Sequence, residues 1–346
     1  MADYLQALQA PYNGTSPSFN GNPVYAAQGA VVLGRATLGG AAWLGAWSVI
    51  RADGHYIEIG EDFHLGAYAT VHIAHEVYAT HIGARVTAGN GSVIHACTVG
   101  DGCVIEREAI ILDGSTIGSG AVVSAGSVVF PRSDLPGGWL YSGSPAKPVA
   151  LLTASELEGY HQKIRNTGSK IETVEGGHQT VLDCFVAPSA RVFGAVTVGE
   201  GVGIWYGCRL NAGDHHITVG DGTNIQDNSI LVAEARDILI GPQVTIGHNV
   251  TLSDCIVETG SLIGIGALIA PGTYVESDVL VAAGTQTEPG QRLSSGMVWA
   301  GRPARPIAQM DDRKRKMLLQ TLPTYRGYAD RFRATPHQPL IQAREN

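Results

Sequence analysis

From Val31 onward, aliphatic residues recur with a six-residue rhythm, each followed by glycine or another small residue. The rhythm shows in Val32-Leu33-Gly34, Thr37-Leu38-Gly39, Ile57-Glu58-Ile59-Gly60, His81-Ile82-Gly83, Thr98-Val99-Gly100 and Thr116-Ile117-Gly118. It returns in Thr197-Val198-Gly199, Thr218-Val219-Gly220, Leu239-Ile240-Gly241 and Thr245-Ile246-Gly247. Strands of a β-sandwich would be spaced more loosely, at about 8–12 residues. The tighter period predicts a β-helix, in which each repeat is a short strand and a turn and three repeats close one triangular coil. The aliphatic residue points into the prism, and the glycine is expected to supply φ > 0 at the corner.

The rhythm also divides the chain. Residues 1 to about 24 are polar and rich in turn formers, as in Asn13-Gly14-Thr15-Ser16-Pro17, and read as an irregular lead-in. The first rhythm stops after Val128-Val129-Phe130-Pro131. Thr153 with Glu156 three places later forms a capping box, which predicts a helix to about Asn166. A polar linker is expected over 168–177. The second rhythm runs from Phe185-Val186-Ala187-Pro188 to Gly301-Arg302-Pro303-Ala304, followed by a helix that Pro323 interrupts. Gly143-Ser144-Pro145-Ala146 and Gly301-Arg302-Pro303-Ala304 lie 158 residues apart, as do Cys97 and Cys255. The expected organisation is therefore a tandem duplication, with β-helix domains over 1–170 and 178–346, each ending in an α-helix.

Composition narrows the function. Forty-five glycines against six phenylalanines suit a fold of thin layers and many turns. A net charge of -8 argues against a nucleic-acid partner, which needs a clustered basic surface. The basic run Arg313-Lys314-Arg315-Lys316 reads as a solvated helix face. Five cysteines without a CxxC pair fit a reducing compartment, with Cys97 and Cys255 as small core residues. The start Met1-Ala2-Asp3-Tyr4-Leu5 has no basic and apolar leader, and no run approaches 18 apolar residues, so no membrane partner is expected and the cytoplasm is the default.

Candidate chemistry sits at matching places in the two halves. The first half carries Arg51-Ala52-Asp53, then His72 in Val71-His72-Ile73, then His95 in Ile94-His95-Ala96-Cys97. The second carries Asn224-Ile225-Gln226-Asp227 and Gly247-His248. In this order the motifs resemble the gamma-class carbonic anhydrase family of left-handed β-helices. That family has an Arg-Gly-Asp turn, an Asn-Ile-Gln-Asp turn and three metal-binding histidines shared between subunits. Against that pattern the first half has Gly66-Ala67 for the Gln-Asp pair and Asn90 for the middle histidine. The second has Asn211-Ala212-Gly213 for the Arg turn, Val232 for the first histidine and Ser253 for the last. None of the seven positions is lost from both halves.

The resemblance implies two left-handed parallel β-helices and one composite site binding zinc, or another divalent metal such as iron or cobalt, through His72, His95 and His248. Three imidazoles with an open fourth position form a catalytic arrangement that acidifies bound water to a pKa of about 7. It further implies that Arg51, Asp53 and Asp227 form an interface charge network and that Gln226 hydrogen-bonds near the bound water or substrate. The expected activity is hydration of CO2 or a similar small electrophile by a homo-oligomer with trimer-like domain rings. Residues 90 and 95 are five apart and fall on different faces of one prism, so side chains of abutting prisms meet one metal more readily. Arg51 and Asp53 also suit a purely structural ion pair. His75 and Glu76 could relay protons, although a solvated loop explains them as well. His64, His81, His215 and His216 have no matched role and are taken as surface residues. Two other function classes share the prism: an acyl-CoA-dependent acyltransferase with one histidine as base, and a non-catalytic assembly subunit. The first lacks an evident loop for a pantetheine arm. The second predicts random decay, which would sometimes remove one position from both halves.

Overall fold

The computed structural model describes residues 6–21, 24–166 and 184–340, so the linker expected over 168–177 lies outside the described residues. The chain divides into two compact units, Met1–Glu172 with Ala334–Asn346, and Thr173–Arg333. The tail thus belongs to the first unit, whereas the sequence placed it in the second domain. Each unit is a β-solenoid of stacked parallel coils. In the first, Val32, Ile50, Val71, Ile94, Ile111 and Val129 stand in one column, each opposite the next. All six are at most 1% exposed. The second unit has the column Val192, Leu210, Leu231, Leu252 and Ile269. Each such side chain contributes roughly 1.5–3 kcal/mol by leaving water, so the columns are the main cohesive element. Side chains one position on point outward.

The repeat glycines have a different job from the one expected. Gly60, Gly83, Gly100 and Gly118 do not adopt positive φ. The left-handed corner falls two residues later, on Asp62, Arg85, Gly102 and Gly120. The glycines are required because the next coil's backbone passes directly over them. A Cβ on Gly83 would lie 2.7 Å from the Asp101 backbone nitrogen, and one on Gly118 would lie 2.3 Å from that of Gly137.

Two further expectations about boundaries are corrected. The lead-in forms the first coil, through strands Leu8–Ala10, Ser18–Asn20 and Tyr25–Ala26. Apart from Val24, its core positions Ala7, Ala26 and Ala30 are small, so the aliphatic rhythm is invisible there. At the other end the coils continue past Pro131 through Asp134–Leu135 and Trp139–Ser142, which stack on the preceding coil.

A helix follows each solenoid. The first, α1 (Ala154–Arg165), starts at the predicted capping box and buries only His161. It is therefore held by polar contacts. His161 Nε2 donates to the Gly102 carbonyl at 3.1 Å, and Nδ1 accepts from the Thr87 hydroxyl at 2.7 Å. Arg165 donates to Thr87 and to Asp62. The second, α2 (Asp312–Arg333), runs through Pro323 without interruption. Its last turns place Tyr325, Tyr328 and Phe332 edge-on to Trp205, with centroids 5.2, 6.4 and 6.3 Å away. Burial of three aromatics outweighs the roughly 3 kcal/mol that an internal proline costs. Among the described residues no helix is long and apolar enough to cross a membrane.

His64 is also corrected: it is buried, stacked on Trp43 with ring centroids 4.2 Å apart. Burial, with the Arg165 guanidinium nearby, lowers its pKa to about 4. His81, His215 and His216 are at least partly exposed, as expected.

Two outcomes follow. Gly83→Ala should destabilise the first unit by ~1–3 kcal/mol, as overpacking does, whereas Arg85→Gly should stay within about 1 kcal/mol of wild type. Urea midpoints check this, and the reverse ranking would return the corner to Gly83. Because the folded pKa of His64 lies below its unfolded value, its contribution is complete above about pH 6.5 and is lost as pH falls toward 4. The loss should total roughly 3 kcal/mol, and stability measured from pH 7 to 4 should slope less steeply in His64→Phe.

Candidate metal centre

The outward row beside the first unit's apolar column carries the chemistry. Leu33 lies opposite Arg51, and His72 lies opposite His95. Arg51 follows Ile50, whose partner is Val71, so Arg51, His72 and His95 share the row. The strand Val49–Ile59 runs past a corner instead of ending there, and its register shifts opposite Gly34–Ala36. That excursion brings Asp53 back toward the row.

The four side chains form one connected, buried group. Arg51 pairs with Asp53, and both are fully buried. Asp53 Oδ1 accepts from the Gly54 amide at 2.9 Å and lies 3.2 Å from His72 Nε2. His72 Nδ1 faces His95 Nε2 at 3.2 Å. On its far side, His95 Nδ1 lies 2.6 Å from Asp113 Oδ1. The carboxylates fix the tautomers: His72 carries its proton on Nε2 and His95 on Nδ1. Two ring lone pairs are then aimed at one another, an arrangement that repels unless a proton or a cation sits between them.

The donor set fits a metal. Two imidazoles on one tetrahedral zinc, with bonds of 2.0–2.1 Å, place their nitrogens about 3.3 Å apart. A carboxylate behind each ring is the usual support for a ligating histidine. Within the first unit, His72 and His95 are thus two buried imidazole donors that could bind a metal ion.

The second unit carries the complementary set. Asp227 and His248 are neighbours on adjacent coils, with carboxylate and ring 3.1 Å apart. Asp227 Oδ1 also accepts from the Tyr206 amide at 3.1 Å. Tyr325, reaching in from α2, places its hydroxyl 3.4 Å from His248 Nε2. Gln226 is buried next to Asp227. The row equivalent to that of the first unit reads Phe193, Asn211, Val232 and Ser253, and offers no ring nitrogen. Conversely, Asn90 of the first unit turns its Oδ1 to the Ala67 amide at 3.0 Å, a backbone-bracing role.

Some residues were not foreseen. Asp113 sits one coil beyond His95, where an 18-residue step from the histidine would have pointed to it. Tyr325 leaves no comparable trace, because only the packing of α2 brings it to His248. His75 and Glu76 have side chains 42% and 81% exposed, on the loop after His72. Cys97 and Cys255 are buried, and burial raises both thiols, that of Cys255 to about 12, as core residues require.

No protein-family model matches the chain. Gamma carbonic anhydrase 1, mitochondrial, of Arabidopsis thaliana is 37% identical over 187 residues, spanning 52% of this chain and 66% of that protein. The chain therefore covers just under two thirds of that relative. Carnitine operon protein CaiE of Escherichia coli is 31% identical over 165 residues, 47% of this chain and 84% of that protein. A crystal structure of a candidate acetyltransferase from Desulfovibrio desulfuricans G20 covers 99% of this chain and 88% of its own, with a TM-score of 0.64 and 14% identity, which is a likeness of fold alone. With these relatives and a solenoid built of six-residue repeats, the chain belongs to the gamma carbonic anhydrase-like family of hexapeptide-repeat proteins.

Proposed function

We propose that the chain is a metal-dependent hydratase of the gamma carbonic anhydrase type, acting on CO2 or a similarly small electrophile. His72 and His95 of a first unit would hold the ion together with His248 of a second unit, from the same chain or a neighbouring copy. The observation that carries this reading is the pair of ring nitrogens 3.2 Å apart, each ring tied from behind by a carboxylate. The complementary losses in the two halves support His248 as the third ligand. A bound divalent ion, zinc or another, supplies acidified water as a nucleophile near neutral pH.

The chain's own residues prepare that site. Asp53 and Asp113 hold His72 and His95 in the tautomers that present lone pairs to a cation. Arg51 pairs with Asp53 and so compensates the buried carboxylate behind the ring. Asp227 and Tyr325 flank His248. Gln226, buried beside Asp227, would hydrogen-bond water or substrate. The likeness to a candidate acetyltransferase is one of fold and lends no support to acyl transfer.

Metal analysis of the purified full chain should give about one zinc per chain, with CO2 hydration in the loaded protein. His72→Ala, His95→Ala and His248→Ala should each lose the metal, while His81→Ala keeps it. Metal retained in His248→Ala would overturn the composite site; loaded wild type without hydration would overturn the substrate. Asp113→Asn should weaken zinc binding by about 10–100-fold in a competition titration, and Asp134→Asn should leave it unchanged.

A further inference from the structure

After α2 the chain rejoins the first unit and forms an element that the metal centre does not use. Gln338–Pro339 lies antiparallel to Leu8–Ala10, with Leu8 opposite Pro339 and Gln9 opposite Gln338. The Leu340 amide donates to the Ala7 carbonyl at 2.8 Å. The Gln9 side-chain amide reaches the Pro339 carbonyl at 3.4 Å. The Leu340 side chain is 6% exposed and joins the core cluster that contains Ala7, Val24 and Ala26.

The place it occupies is the weak point of any solenoid. Leu8–Ala10 belongs to the first coil, and its other edge already pairs in parallel with Val31–Gly39. A terminal coil has no further coil to stack on it. It leaves a row of backbone groups open to pairing and the core open to water. Here the first coil contributes mainly small core residues, Ala7, Ala26 and Ala30 beside Val24, and Leu340 adds bulk to the same cluster.

We propose that residues 334–340 are a built-in end cap, and that without them the edge of Leu8–Ala10 pairs with the same edge of a second copy of this chain. The polarity of the existing contact singles out that partner. Two identical edges related by a twofold axis run antiparallel, and antiparallel is the pairing this edge already accepts from the tail. The cap therefore prevents end-to-end association while leaving the rows that carry histidines untouched.

Light scattering on the full chain and on a chain ending at Arg333 tests this. The shortened chain should approach about twice the mass of the full-length assembly as concentration rises, and an excess of the peptide 334–346 should reverse the change. Equal masses at every concentration would overturn the proposal. Leu340→Asp, which keeps the tail, covers the case in which the shortened chain does not fold. Its deuterium uptake over residues 7–10 should rise at least about tenfold while that over 87–105 stays unchanged. Unchanged uptake over 7–10 would likewise overturn the cap.

Discussion

Parallel strands stacked in one sheet stand about 4.8 Å apart, and in this chain that spacing fixes the site. His72 and His95 are 23 positions apart in sequence yet directly opposite on neighbouring coils. Two rings projecting from such a ladder can tilt their nitrogens to 3.2 Å without any loop being ordered for the purpose. The register holds because the inward column beside them cannot slip: a shift of one residue would turn Ile50, Val71 and Ile94 out to water. It is also held sterically, since the coils approach so closely at Gly83 and Gly118 that no side chain fits between them. The rigidity a metal centre needs is thus a property of the stack.

The same stack explains where a buried charge is tolerated. Arg51 and Asp53 are fully shielded from water, which costs several kcal/mol per ion unless nearly every polar atom is paired. Asp53 meets that demand through Arg51, the Gly54 amide and His72. In the second unit the equivalent turn is Asn211-Ala212-Gly213, and Asn211 simply caps the Gly213 amide. The Arg51–Asp53 pair thus has no counterpart at the equivalent turn of the second unit, and it stands beside two ring nitrogens. A role confined to fold stability would have served both units equally.

Most of the fold could be read from the chain because a six-residue period admits few structures, and the aliphatic columns follow directly from it. The misreadings share one cause: the period reports inward volume, while several decisive features are matters of backbone contact. Ala7, Ala26 and Ala30 line the first coil without an aliphatic signal. The repeat glycines signal a close approach, and their sequence is indistinguishable from that of a glycine needed for φ > 0. Local propensity makes Pro323 a helix breaker, and the packing of Tyr325, Tyr328 and Phe332 overrides it. His64 resembles any polar strand residue until its stacking on Trp43 is seen. For the proposed site, residue types at motif positions are what single out Arg51, Asp53, His72, His95, Gln226, Asp227 and His248 as candidates. Asp113 and Tyr325 stand outside those motifs: the coil period of 18 residues leads from His95 to Asp113, whereas Tyr325 is defined by tertiary packing alone.

On the composite reading, the division of labour also bears on assembly. The row bearing Arg51, His72 and His95 and the row bearing Asp227 and His248 belong to different units, and each unit lacks what the other supplies. A ring of identical domains would repeat one interface throughout, and here that would give either a row with two ring nitrogens facing Ala67 and Asn90 or a row with none. For the proposed ligand set, only a meeting of unlike units would supply all three histidines. Two unlike units cannot alternate evenly around a ring of three domains, so an assembly of that kind would hold both competent and incompetent interfaces. Joining the two units in one chain guarantees that they are made in equal number, which independent copies would not.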